Sequence, residues 1–171
     1  DAPQRFTLGA VYALPFGAGQ SFGWKSGVGG KLMGGWQLGG NGVFQSGFPI
    51  TLNAPVVLTG VDPTLSPGSR SRLDWFNKAA LAPLPNFTLR NAPWGVSTLR
   101  SDAIDNWDTS LTKKIQLKDR LGLQFRWEMF NALNRVQFAS PDINPLSSTY
   151  GQIFSQANNP RVMQMSLTVF F

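Results

Sequence analysis

The last eleven residues, Arg161-Val-Met-Gln-Met-Ser-Leu-Thr-Val-Phe-Phe171, constrain this chain more than any other stretch. Met163, Met165, Leu167, Val169 and Phe171 are apolar, whereas Gln164, Ser166 and Thr168 between them are polar; Val162 and Phe170 are the exceptions. Strict alternation on a strand makes two different faces, because successive side chains point to opposite sides. Residues spaced by about 3.3 Å and tilted by roughly 45° just cross a hydrocarbon layer over this length. A strand in a water-soluble domain is nearer 5–6 residues. The stretch therefore reads as a membrane-crossing strand with an aromatic stop.

Composition agrees with that reading. Only 14% of the 171 residues are charged, against about 25% in ordinary soluble domains. No window approaches the ~18 uninterrupted apolar residues of a membrane helix. Alternating strands hide apolar residues in every second position, so modest hydropathy is compatible with full embedding. The chain contains neither Cys nor His. That excludes disulfides and thiolate chemistry and removes the usual general base and commonest metal ligand. Neither catalysis nor a cofactor is expected. The net charge of +6 comes from scattered Lys and Arg, with Lys113-Lys114 one adjacent pair, so no nucleic-acid partner is expected.

Strands are expected near 6–14, 36–51, 104–117, 121–133 and 161–171, with extracellular loops near 52–103 and 134–160. In the first strand Phe6, Leu8, Ala10, Tyr12 and Leu14 share a face, and Pro15 ends it. Residues 15–35 read as a Gly-rich connection. In the second, Trp36, Leu38, Gly40, Gly42 and Phe44 oppose Gln37, Gly39, Asn41 and Gln45. Six of the 12 prolines lie inside 52–103, where no period holds for long; a loop of that length fits the outer side of a barrel.

The clearest hairpin follows, turning at Lys118-Asp-Arg120. A pairing of Leu117 with Leu121 sets Ile115 against Leu123, Leu111 against Trp127 and Ser110 against Glu128, and the apolar faces coincide. If Phe171 lies on the periplasmic side, both long loops fall outside and the tight turn inside; the long 15–35 connection is the blemish. The expected fold is all-β, an antiparallel meander of about five long strands within a larger transmembrane β-barrel. Five strands cannot close such a barrel, whose smallest members have about eight. With no initiator Met or export signal at Asp1, the expectation is a processed chain or a fragment.

The segments Tyr12-Ala-Leu-Pro-Phe-Gly17, Gly34-Gly-Trp-Gln-Leu38, Phe44-Gln-Ser-Gly-Phe-Pro49, Trp75-Phe-Asn-Lys-Ala-Ala80, Asn106-Trp-Asp-Thr-Ser-Leu111, Phe125-Arg-Trp-Glu-Met-Phe-Asn-Ala-Leu-Asn134 and Ala157 to Phe171 occur in that order. This run resembles the C-terminal barrel of TonB-dependent outer-membrane receptors, in particular the Oar-like branch common in Acidobacteria. The resemblance implies an outer-membrane location in a Gram-negative-type bacterium. It also implies a 22-stranded barrel plugged by an N-terminal domain and uptake of a scarce nutrient through the TonB system. Partners implied are outer-membrane lipid, the remaining strands and plug, an unknown small substrate and the β-barrel assembly machinery. The signal read by that machinery matches Met165, Leu167, Val169 and Phe171.

Other features have plainer readings. Gly19-Gln-Ser-Phe-Gly23 matches a nucleophile elbow, but without a His to take the serine proton it reads as a turn. Asp102, Asp105 and Asp108 lack the spacing and central Gly of a calcium loop, and Asn86-Phe-Thr88 is a chance glycosylation sequon. Asp108, Lys114, Gln124, Arg126 and Glu128 are expected to face the lumen as a mutually neutralising polar ladder. Lys113 falls on the apolar face and is expected to snorkel to the near interface, at a cost of about 0–1 kcal/mol. Tyr12, Trp36 and Trp107, near strand ends, are candidate interfacial aromatics. Two other classes stay open: a structural or adhesive outer-membrane barrel without transport, and a soluble β-sandwich binding carbohydrate through exposed Trp.

Overall fold

The computed structural model describes every residue except 18–21, 23–26, 67, 118 and 119. In chain order the elements are β1 (Arg5–Ala13), α1 (Gly27–Met33), β2 (Trp36–Gln45), β3 (Pro49–Thr51), β4 (Val56–Leu58), β5 (Leu81–Pro83), β6 (Gly95–Arg100), β7 (Ile104–Gln116), β8 (Gly122–Phe130) and β9 (Val162–Phe170). They fall into two compact units. The sheet unit comprises Phe6–Phe44, Asp105–Arg135 and Asn159–Phe171, and the loop unit comprises Asp1–Arg5, Gln45–Ile104 and Val136–Asn158.

The sheet unit holds five antiparallel strands in the order β1-β2-β7-β8-β9. Its register follows from the alternation. Leu111 pairs with Trp127, Ile115 with Leu123 and Ser110 with Glu128. Leu117 N–H donates to the Leu121 carbonyl at 2.9 Å; Lys118 and Asp119 of the turn lie outside the described residues. The next ladder sets Leu123 against Val169, Phe125 against Leu167 and Trp127 against Met165. Apolar side chains thus form rows on one face, interrupted by Thr109 and Lys113, and polar ones lie mostly on the other, as side-chain alternation requires of matched strands. At about 3.3 Å per residue and a tilt near 40°, the nine residues of β9 rise roughly 23 Å, close to the ≈25 Å apolar band of outer-membrane barrels. The outermost strands, β1 and β9, have no second neighbour among the described residues, so these five strands do not close a barrel.

Two glycines show how closely this wall is built. A Cβ at Gly42 would sit 3.2 Å from the Trp107 and Phe44 rings, which pack edge-on with centroids 5.5 Å apart. One at Gly122 would fall within the Phe170 ring, 2.9 Å or less from three of its carbons. Phe170, opposite Gly122 in the ladder, thereby covers the gap the glycine leaves. That accounts for an apolar residue on the polar face.

The second strand ends at Gln45 rather than continuing to 51. Ser46 turns back to Gln4, its N–H donating to the Gln4 carbonyl. Gly47 lies too close to the Ser101 carbonyl for any side chain, and Phe48 N–H donates to Ser101 Oγ at 3.0 Å. Pro49–Thr51 then pairs with β6 as a separate two-stranded sheet. The fourth strand likewise ends at Phe130 rather than 133, because Asn131 and Asn134 adopt positive φ of 49° and 51°, a conformation short polar side chains tolerate.

The stretch expected as a loop over 52–103 is folded. β4 pairs with β5, and a core of Ile50, Leu52, Val56, Trp75, Phe76, Leu81, Leu99, Ile143 and Ile153 binds this stretch to the 136–158 segment. Polar side chains around this core are tied to backbone. Arg90 donates to the carbonyls of Leu52, Ala92 and Pro93. Asn91 bonds both the N–H and the carbonyl of Leu58. The Trp75 indole donates to Arg100 O at 3.0 Å beneath the Arg70 guanidinium, 3.5 Å from the ring centroid.

The 15–35 connection contains α1, a seven-residue helix. Of the nucleophile-elbow pattern only Phe22 lies within the described residues.

Candidate functional site

Within the sheet unit the polar face is the candidate surface. Strand parity places Asp108, Lys114, Gln124, Arg126 and Glu128 all on it, together with Ser110, Thr112, Gln164, Ser166 and Thr168 of the same ladders. Arg126 meets Glu128 at 2.5 Å, and Gln164 Nε2 donates to the other Glu128 oxygen at 2.6 Å. Lys114 lies opposite Gln124, which lies opposite Thr168. Arg126 and Glu128 thereby neutralise each other, and the surrounding residues present hydroxyl and amide groups on this face. Asp108 has a different task. It accepts from Asn106 Nδ2 at 3.0 Å and from Asn131 N–H at 2.9 Å.

Asn131, buried and left-handed, is a residue the sequence did not flag. Its amide donates to the carbonyls of Arg135 and Asn159, and its carbonyl oxygen accepts from Arg135 N–H. Asp108 and Asn131 together anchor the exit from β8. A short Asn at the end of an aromatic strand was the available signal.

An open cavity of about 390 Å³ lies on this face against Gly9, Gly39, Asn41, Asp108, Ser110 and Glu128. A Cβ at Gly39 would collide with Ser110 Oγ at 2.5 Å. The glycines therefore let the backbone of β1 and β2 form the cavity floor, with carboxylates at one side. Among the described residues no group of His, Cys, Asp and Glu is placed to hold a metal ion.

The apolar face carries the expected assembly-signal residues. Met165, Leu167 and Val169 project from β9 and are exposed, and Phe171 follows the strand almost fully exposed. A sandwich would bury this row, whereas here it is uncovered.

The aromatic candidates divide between the two ends of the strands. Tyr12 lies one residue from the end of β1, and Trp36 begins β2. The Trp36 indole donates to Leu32 O at 3.1 Å and packs edge-on against Phe125. Trp107 lies toward the opposite end, against Phe44, which in turn meets Phe6. Phe6 and Phe44 share the apolar face with Trp107 by parity, a grouping visible only once β1 and β2 are placed beside β7.

Lys113 corrects its expectation. Instead of snorkelling outward it is 5% exposed. Its ammonium donates to the carbonyls of Lys31 at 3.0 Å, Leu32 at 2.5 Å and Gly34 at 2.6 Å, and lies 4.8 Å from the Trp36 ring centroid. The last carbonyls of a helix have no partner within it and carry partial negative charge. A cation from the sheet fills that position, so α1 is seated at the apolar face.

Comparison with known families shows that the family model for an outer membrane beta barrel domain matches residues 1–164. No curated protein and no solved structure matches the chain.

Proposed function

Because the chain belongs to the outer membrane β-barrel domain family, we propose that it forms part of the wall of a TonB-dependent transporter taking up a scarce nutrient across the outer membrane of a Gram-negative-type bacterium. An outer-membrane barrel is the premise; energised uptake is the proposal. Its main support is the ordered run of motifs from Tyr12 to Phe171, most of which lie on strands of a sheet with one apolar and one polar face, while Trp75–Ala80 lies in the loop unit. In this reading the apolar rows meet lipid, and the polar face with its glycine-floored cavity faces the lumen, opposite plug or substrate. The role is passage rather than catalysis. Assembly would proceed through recognition of Met165, Leu167, Val169 and Phe171 by the barrel-insertion machinery.

A structural or adhesive barrel is the second reading. It is favoured by the surface of the loop unit, where Phe87, Leu89 and Trp94 stand exposed and Phe87 adopts a φ of 58°, a region uncommon for a bulky residue. The two readings separate in cells. Deletion of the gene should slow growth on at least one scarce nutrient, and only while the energy-coupling protein is present. A deletion phenotype confined to surface attachment, and indifferent to energy coupling, would overturn the transport reading in favour of the adhesive one.

A further inference from the structure

We propose that α1 is an interfacial anchor, lying in the phospholipid headgroup layer at the β7–β8 turn end of the barrel wall. The inference rests on the membrane reading, because it treats the apolar face of the sheet as the lipid face. Two observations place the helix on that side. Lys113, on the apolar face of β7 by its pairing with Phe125, holds the carbonyls of Lys31, Leu32 and Gly34. Trp36, whose ring meets Phe125, donates to Leu32 O. The helix is thus continuous with the lipid-facing surface. Its C-terminal end is also closely packed on the chain that follows β1, where a Cβ on Gly34 would meet Gly17 Cα at 3.3 Å and Phe16 O at 3.4 Å.

What this seating leaves outward is apolar. Gly30 is buried, whereas Val28, Leu32 and Met33 are exposed. Phe22, tied to Pro15 and Gly17 by backbone hydrogen bonds, is exposed as well. In water, four such side chains on a short connection would be an unfavourable surface. At the boundary between acyl chains and headgroups they are matched, since interfacial helices bury an apolar face by about 5–10 Å. Lys31 in the last turn suits contact with lipid phosphate. The helix itself is too short to be stable alone. Lys113 and Trp36 therefore act as positioning residues that hold it at the interface.

This chain holds no cysteine, and any cysteine elsewhere in the full-length protein would first be changed to serine, so that each label reports one position. Single variants Val28→Cys and Leu32→Cys would be made in the full-length protein and labelled with a fluorophore. They would be reconstituted in phosphatidylethanolamine–phosphatidylglycerol vesicles. Met165→Cys serves as the wall reference and Leu146→Cys, in the loop unit, as the water reference. The expected result at 28 and 32 is at least twofold stronger quenching by a nitroxide near the lipid headgroup than by aqueous iodide. Lys113→Gln should lower the nitroxide quenching at 32 and leave that at 165 unchanged. Iodide access at 28 and 32 equal to that at 146, with lipid quenching kept at 165, would overturn the α1 inference alone. Loss of lipid quenching at 165 as well would overturn the membrane reading with it.

Discussion

The loop unit and the sheet unit use similar apolar residues in opposite ways. In the loop unit Phe76, Leu52, Ile153 and Val56 are at most 2% exposed, gathered from segments far apart in the chain. In the sheet unit Met165 and Leu167 are 69% and 68% exposed, although each sits in a regular ladder with its backbone paired on one side. Burial in a shared core is the ordinary driving force of folding in water, and the loop unit is built by it. The sheet instead satisfies its backbone first and aims its apolar rows outward. That arrangement is stable where the surrounding solvent is hydrocarbon, in which unpaired backbone is the greater penalty. The difference teaches that exposure has opposite meanings in the two units. On the proposed membrane reading an exposed Leu in the sheet is solvated by lipid, whereas a buried Phe in the loop unit is removed from water.

The contrast can be broken first in the core. Phe76→Ala removes a ring 2% exposed that packs edge-on against Tyr150 at 5.4 Å. It should cost the loop unit about 3–5 kcal/mol. Hydrogen exchange should register this as lost protection in β4 and β5, with the β8–β9 ladder unchanged. Next comes the lipid face. Leu167→Arg should lower the folding free energy in vesicles by about 2–4 kcal/mol, the range for a cation near the bilayer midplane. Ser166→Arg, one residue away on the polar face, should be nearly neutral; equal effects would refute the assignment of faces.

A smaller effect is expected at the seam of β8 and β9. Gly122→Ala drives a methyl into the Phe170 ring and should destabilise the ladder by about 1–3 kcal/mol. Phe170→Ala in the same chain should relieve part of that, as read from the heat at which the folded band disappears in gel electrophoresis.

The smallest concerns Tyr150. Its hydroxyl donates to the carbonyls of Lys78 at 3.0 Å and Leu81 at 3.2 Å, and burial pushes its pKa up to about 12 from an ordinary value near 10. A raised folded pKa stabilises fully below the unfolded value and ceases to do so as pH rises through the folded one. The loop unit should therefore weaken between about pH 10 and 12. Tyr150→Phe should cost roughly 1 kcal/mol at neutral pH and flatten that alkaline limb, measured by near-ultraviolet circular dichroism. At the acid end Asp142 is held below the usual carboxylate range by hydrogen bonds from Ser147, Asn144 and Thr149. It contributes above its unfolded pKa, and the contribution is lost as pH falls through the depressed folded one.

Much of the sheet was legible in the sequence because period-two alternation carries its own register. Once Leu117 faces Leu121, every partner from Ile115–Leu123 to Ser110–Glu128 follows. The loop unit was not legible, for a physical reason. Strands β3, β4 and β5 are three residues each, too short to show a period. Its core also joins Trp75 and Phe76 to Ile143 and Ile153 across sequence gaps that no local pattern reports. Lys113 was legible as an exception but not in its role, since the helix carbonyls that receive it belong to residues about eighty positions earlier. Asn131 was hidden similarly, its partners Asp108 and Asn159 lying in distant strands and loops.

The central claim is that the sheet's apolar face is solvated by lipid and the loop unit by water. Hydroxyl-radical footprinting of the unmodified protein in outer-membrane vesicles tests it most directly, because methionine is readily oxidised and Met165 is 69% exposed. The account predicts that Met163 and Met165 stay unmodified in the membrane while Trp94 and Phe87 are oxidised rapidly. Oxidation of Met165 as fast as Trp94 would contradict it.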